Sequence, residues 1–317
     1  MRQIVYKIER FDGKKSYTQE YSFAHEPNKT VLWGLMKIQE TLDATLAFSA
    51  SCRSAVCGAC AMRINGQAML ACETSLDGTL NRFGDTVSIA PLKNFKIVKD
   101  LVVDWEDKAE RLVKVMPWLK PHHDLSPDKD CVQTPEERSR INAQVDCILC
   151  GACASACNKL SADCSDFYEP YAYTKAQRFV GDSRDTGEKE HMAAVLDQGL
   201  WRCVHCQQCV TQCPKHVEPA EDIARLRRRS IQMGETDNTG ARHALAFCDD
   251  LMATGRLDEA KMAIKTEGIF KSATRVPFAL RLLSKGKLNP LHMLTAAPVK
   301  NIQQIRSIIE TIKGAEK

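Results

Sequence analysis

Residues 201–214 read WRCVHCQQCVTQCP, four cysteines at the intervals C-x2-C-x2-C-x3-C with a proline directly after the last. Thiols at these intervals wrap a cubane iron–sulfur cluster, while the last of the four reaches across to a neighbouring cluster. Such a run requires a second of its own kind. That second run lies upstream at Cys147, Cys150, Cys153 and Cys157, with identical internal spacing. The fold must therefore bring these two distant segments together.

Composition supports metal ligation over other uses of cysteine. Fifteen cysteines is an odd number, and no apolar signal segment opens the chain, so a disulfide framework is a poor reading. The net charge of +4, from 44 basic and 40 acidic side chains, implies no nucleic-acid partner. No run of eighteen apolar residues occurs, which excludes a membrane-spanning helix and leaves membrane contact to the surface or to another subunit. A chain of 317 residues with 44% hydrophobic content suits two or three soluble domains.

Residues 3–10 and 16–23 alternate apolar and polar side chains on either side of Asp12-Gly13, which predicts a hairpin. Residues 30–41 (TVLWGLMKIQET) place Val31, Leu32, Leu35, Met36 and Ile38 at helical intervals, with Thr30 as N-cap. Then come Cys52, Cys57 and Cys60, with Cys72 twelve positions on. C-x4-C-x2-C with a distant fourth cysteine is the plant-type [2Fe–2S] spacing, a long loop giving three thiolates and a later strand end the fourth. The alternative is structural zinc, which also favours four thiolates but usually pairs C-x2-C units. Residues 61–64, the turn Asn65-Gly66 and residues 68–72 read as a hairpin, and 86–90 as a closing strand.

The two later runs have the spacing of two-cluster ferredoxins, which implies Cys147, Cys150, Cys153 and Cys213 on one cluster and Cys157, Cys203, Cys206 and Cys209 on the other. With CRSAVCGACAMRINGQAMLACET followed by PLKNFKIVKDLVVD, the chain resembles the iron–sulfur subunit of succinate dehydrogenase and fumarate reductase. The resemblance implies an α+β chain. Residues 1–105 would form a β-grasp [2Fe–2S] ferredoxin-type domain held by Cys52, Cys57, Cys60 and Cys72, with residues 91–104 as the passage onward. Residues 106–230 would form an α-helical ferredoxin domain with two cubane sites, and 231–317 a helical extension beyond the usual family length. Helices are expected at 105–119, ended by Pro117 and Pro121, from Pro135, at 168–179 and at 189–199. In the extension they are expected at 241–254, 257–264 and 302–312, punctuated by Pro277, Pro290 and Pro298.

The chain departs from the conventional pattern at one cluster. Those members leave a non-cysteine residue in the last run, so that the cluster is [3Fe–4S]; here Cys206 stands there, which implies [4Fe–4S] if it is a ligand. Where they have proline, a quinone-site tryptophan and a histidine, this chain has Asn158, Ala162 and Val204. The usual quinone pocket is thus unsupported. His205, one position away from the family histidine, reads as an outer-shell or exposed residue rather than a ligand. Cys131, Cys164 and Cys248 are left over and carry no role, and the basic stretch 224–229 (ARLRRR) reads as a solvated helix face.

Without a nucleotide-binding glycine fingerprint or a nucleophile–base pair, the chain reads as an electron wire rather than a catalytic subunit. The resemblance implies an FAD flavoprotein partner that interconverts succinate and fumarate. It is strongest to the branch with a cysteine-rich, heterodisulfide-reductase-like third subunit, which includes methylmenaquinol:fumarate reductases, and this implies a menaquinol donor through that subunit. It also implies membrane association through partners, on the periplasmic face if the chain is exported folded with a twin-arginine-signal flavoprotein and otherwise on the cytoplasmic face. The rival readings are a conventional succinate:quinone oxidoreductase subunit working oxidatively, a soluble ferredoxin-like carrier, and a structural metal protein.

Overall fold

Ile4, Tyr6 and Ile8 alternate with polar neighbours. In the computed structural model of the chain, which describes residues 2–122, 130–163, 166–287 and 297–314, they form strand β1 (Gln3–Phe11) with all three side chains buried. The chain turns at Asp12, whose carboxylate accepts from the Lys14 and Lys15 amides, and returns antiparallel as β2 (Ser16–Ala24). Strands β3 (Ala61–Ile64) and β4 (Gln67–Leu70) form a second hairpin, and β5 (Thr86–Ala90) joins the two, parallel to β1 and antiparallel to β3. The resulting sheet has the order β2-β1-β5-β3-β4.

Helix Val31–Thr41 packs Val31, Leu32, Leu35 and Ile38 into the core, and the Thr30 hydroxyl caps it by accepting from the Trp33 amide at 3.3 Å. Gly34 is required by close approach: a Cβ there would overlap the Tyr6 ring, whose hydroxyl donates to the Val31 carbonyl at 3.2 Å. A sheet wrapped on one helix is the expected β-grasp arrangement. Its core continues past the sheet to Cys150 and Ala152, on the next part of the chain.

Buried Arg10 locks this part together. Its guanidinium pairs with Asp43 at 2.8 Å and Asp100 at 2.9 Å, and Asp100 also accepts from the Phe11 and Ala47 amides. One cation thus ties β1, the loop after the helix and the connection onward, and every charge in the set has a partner, as burial demands.

The structure contains elements that residue patterns did not predict. Helix Leu76–Phe83, capped by Ser75, is one; the small hairpin of β6 (Ile97–Lys99) and β7 (Val102–Val103) is another. β4 ends at Leu70, so Cys72 lies just past the strand instead of within it. The helix expected over 105–119 spans only Glu106–Lys114, because Met116 takes a left-handed φ of 51° ahead of Pro117. The ring of a proline disfavours helical geometry in the residue before it.

Beyond this point short helices alternate with cysteine-bearing turns. Thr134 and Glu137 form a reciprocal capping box at the start of Pro135–Ser139. Helices Pro170–Val180 and Glu188–Asp197 cover the expected regions, the second ending short of Gly199, and Tyr171, Tyr173 and Ala176 of the first are buried. Fully buried Glu169 pairs with Lys108 at 2.8 Å and Arg111 at 3.4 Å, which fixes helix Glu106–Lys114 against this region.

By contact the chain divides into Met1–Leu226 and Arg227–Lys317, the boundary falling within helix Pro219–Gln232. The second unit comprises Thr239–Thr254, Glu259–Ala273 with a break at Gly268, Val276–Ser284 and Ile302–Gly314. The helix expected at 257–264 therefore begins later and runs further, and Val276–Ser284 was not anticipated. Pro277 does not end a helix there; it sits in the first turn of one, where its missing N–H costs nothing.

Candidate metal centres

The loop 52–60 turns its backbone inward. Arg53 and Ala55 hold left-handed φ values of 57° and 56°, and the amides of Ser54, Val56 and Cys57 converge on Cys52 Sγ at 3.3–3.4 Å. Ala55 donates to Cys72 Sγ at 3.3 Å, and Cys52 donates to Cys57 Sγ at 3.5 Å. The Ser54, Cys57 and Val56 amides bring the Cys52 thiol down to about 6, the behaviour of a sulfur held ready as thiolate. Cys60 lies buried beside Cys72, and burial pushes its thiol up to about 12. Four sulfurs and a nest of N–H donors suit an anionic, thiolate-ligated cluster with two ligands open to solvent and two enclosed.

Cys147, Cys150, Cys153 and Cys213 line one small cavity together with Tyr171 and Pro214. Gathering four thiols under cover is unfavourable for their ionised forms. Burial, reinforced by the neighbouring Cys147 and Cys213 sulfurs, pushes Cys150 up to about 11, and wholly buried Cys153 rises further. Such a set is stable as thiolates only when cations neutralise it, which is what iron provides. Val217 donates its amide to Cys213 Sγ at 3.3 Å, and Lys175 reaches the Cys147 carbonyl at 2.9 Å. Buried Asp222, held by Gln144 at 2.6 Å, is pushed by burial up to about 6.

The third set is Cys157, Cys203, Cys206 and Cys209. Burial, reinforced by the charges of Cys203, Cys157 and Cys206, pushes Cys209 up to about 12. His205 serves through its backbone: at φ 55° its amide donates to Cys203 Sγ at 3.4 Å. Asn158 turns its side-chain amide to Cys206 Sγ at 3.8 Å, so the exposed sulfur of Cys206 has a donor of its own. Cys213 of the later run lines the same cavity as Cys147, Cys150 and Cys153. Among the described residues no three His, Cys, Asp or Glu side chains close on a single ion. The amides aimed at the Cys52, Cys203 and Cys213 sulfurs suit anionic clusters held by thiolates.

The sets are linked to one another. Gly58, at φ 76°, presses against Cys150 so tightly that a Cβ would lie 2.9 Å from the Cys150 Cβ, and thus the first loop rests directly on the second set. Lys215 reaches from beside Cys213 to the Ala55 carbonyl at 3.4 Å. Asn94 was missed in the sequence. Its amide donates to the Ala154 carbonyl at 2.8 Å and the Cys157 carbonyl at 3.2 Å, from a left-handed φ of 67°. The available signal was an asparagine, a residue tolerant of that conformation, in a proline-led connection. Asn94→Ala is expected to lower the stability of the loaded protein by about 1–3 kcal/mol, since two carbonyls lose their donor; thermal unfolding under anaerobic conditions checks this. Cys131 and Cys248 are partly buried outside all three sets, and Cys164 lies outside the described residues.

Residues 4–110 match a 2Fe-2S iron-sulfur cluster binding domain and residues 143–217 a 4Fe-4S dicluster domain. The chain is 44% identical over 315 residues to the 8-methylmenaquinol:fumarate reductase iron-sulfur subunit of Wolinella succinogenes, covering 98% of each chain. It is 34% identical over 239 residues to the succinate dehydrogenase iron-sulfur subunit of Coxiella burnetii, covering 74% of this chain and 99% of that one. A solved structure, the Mycobacterium smegmatis Sdh1 complex in the apo form, contains a chain of the same fold, with TM-score 0.66 and 24% identity over 73% of this chain and 96% of that one.

Proposed function

The chain belongs to the family of iron–sulfur subunits of succinate dehydrogenases and fumarate reductases, and from this premise we propose that it relays electrons from a methylmenaquinol-reactive partner to an FAD subunit that reduces fumarate. One observation carries the choice of branch: Cys206 completes a set of four thiols where conventional members have three. In this reading Cys52, Cys57, Cys60 and Cys72 hold a [2Fe–2S] cluster. Cys147, Cys150, Cys153 and Cys213 hold one [4Fe–4S] cluster, and Cys157, Cys203, Cys206 and Cys209 the other. The match to the Wolinella subunit along 98% of the chain favours the same branch. So does the absence of the family's quinone-pocket residues at Asn158, Ala162 and Val204.

The clusters supply reversible one-electron chemistry. The chain supplies order and environment. Residues 52–60 hold thiolates by amide donation, Gly58 seats that loop on Cys150, and Asn94 fixes the Cys157 end of the far set. The working division is 1–105, 106–230 and 231–317. The [2Fe–2S] end faces the flavoprotein and the Cys206 end a cysteine-rich, membrane-associated subunit. Among the described residues no helix is long and apolar enough to cross a membrane, so partners provide the main attachment. The second reading is a succinate:quinone oxidoreductase subunit working oxidatively.

The test is an anaerobic assay of the complex purified through this chain. Fumarate-dependent oxidation of a reduced menaquinone analogue, with FAD co-purifying, is expected. Succinate-dependent quinone reduction as the dominant activity would establish the second reading, and a chain that purifies without flavin would overturn both. Asn158→Ala is expected to lower the midpoint potential of the Cys206 cluster alone, because an N–H donated to sulfur stabilises the reduced, more negative state. EPR-monitored redox titration checks it, the other two centres serving as internal references.

A further inference from the structure

The extension carries a feature that electron relay does not use. Helix Val276–Ser284 has no buried residue: Phe278 is 62% exposed, Leu280 59%, Val276 50% and Leu283 43%. Just before it, Phe270 is 94% and Ile269 74% exposed. At 100° per residue Phe278, Leu282, Ala279, Leu283, Val276 and Leu280 occupy one broad arc, with Arg281 and Ser284 on the opposite side. Charge is equally one-sided. From residue 268 to 309 the sequence has seven Lys and Arg and no Asp or Glu, in a chain whose totals are nearly balanced at 44 to 40. Lys271, Arg281, Lys285 and Lys287 are exposed around the apolar arc, while Arg275 pairs with Glu267 just ahead of the acid-free stretch.

We propose that residues 269–287 form a docking surface for an anionic lipid bilayer, helix Val276–Ser284 lying in the plane of the headgroups. Its apolar arc would enter the acyl boundary while the basic residues engage lipid phosphates, the arrangement of interfacial amphipathic helices. Two observations favour lipid over a protein occupant. The apolar side chains lie on a short, convex helix rather than in a groove, and the flanking charge is of a single sign over a long stretch. The segment also lies in the part of the chain that goes with the branch. The Wolinella subunit matches 98% of this chain, whereas 99% of the Coxiella subunit is accounted for by 74% of it. A lipid contact here would hold the subunit at the membrane surface without any crossing helix, and it does not depend on which quinone is used.

The experiment is flotation of the full-length, cluster-loaded chain, prepared anaerobically, with vesicles of phosphatidylcholine alone or mixed with phosphatidylglycerol. Binding to the mixed vesicles, roughly tenfold or more above neutral ones and weakening as salt rises, is expected. Phe278→Ser with Leu283→Ser, and separately Arg281→Gln with Lys285→Gln, should each lower it by about tenfold or more. All four positions are solvent-exposed, so unchanged EPR spectra would show that the clusters persist in the variants and an unchanged far-UV circular dichroism spectrum that the helices do. Equal binding to both vesicle types, or variants that bind like the parent, would overturn the proposal. So would a chain that ignores vesicles and instead self-associates, or binds a purified partner subunit, through these same residues.

Discussion

Cys206→Ala is expected to convert the cluster of Cys157, Cys203 and Cys209 from [4Fe–4S] to [3Fe–4S], with a new EPR signal in the oxidised protein and the loss of about one iron per chain. The sulfur of Cys206 is the exposed member of its set, so its removal opens the corner of the cluster nearest solvent while three ligands remain. Asn158 would lose its acceptor at the same time. The [2Fe–2S] centre should keep its spectrum and the other [4Fe–4S] centre its irons, because neither set draws on residues 203–209, while the magnetic interaction between the two cubane sites changes. An unchanged spectrum would mean that Cys206 is no ligand, and the choice of branch would lose its main support.

Gly58→Ala should be nearly as damaging, although alanine adds a single carbon. A left-handed φ of 76° disfavours any side chain, by about 1–2 kcal/mol. The added Cβ would also lie 2.9 Å from the Cβ and 3.0 Å from the Cα of Cys150. Cys150, buried and on the proposed reading a cluster ligand, has little room to yield, so overpacking adds about 1–3 kcal/mol more. A total loss of roughly 2–5 kcal/mol is expected in anaerobic denaturation of the loaded protein. The rate of electron passage between the [2Fe–2S] centre and its neighbour should fall too, since relief of the clash requires the two loops to separate. A substitution tolerated in both measurements would place the loops further apart than described here.

Much of the site was legible because cluster ligation is specified locally. Three or four thiols within a dozen residues must sit at intervals that a turn can fold around a cluster, and those intervals survive in the sequence of any such loop. The spacing also brings Cys213 to the cavity of Cys147, Cys150 and Cys153. What ligand spacing does not encode is the support around the sulfurs. Asn94 acts across some sixty residues through its amide and a left-handed backbone, and an asparagine in a proline-led connection hints at the backbone but not at the distant carbonyls it serves. Helix Leu76–Phe83 escaped notice because Gly78 and Asn81 dilute its apolar periodicity, while tertiary burial of Leu76 and Leu80 sustains it. Helix Val276–Ser284 was hidden by Pro277, which reads as a stop when the start of the helix is unknown and as a suitable first-turn residue once it is placed. Pro117 reads as a stop for the helix from residue 105, and the helix does end before it, at Lys114, with Met116 already left-handed.

Low-temperature EPR with iron and zinc quantification on the anaerobically purified complex tests the central claim most directly. The account predicts no [3Fe–4S] signal when oxidised, and on reduction one [2Fe–2S] and two magnetically interacting [4Fe–4S] centres, with about ten irons per chain. A strong [3Fe–4S] signal in a sample never exposed to oxygen would return this chain to the conventional quinone-reacting enzymes and leave Cys206 without a role. Zinc in place of iron would contradict electron relay altogether.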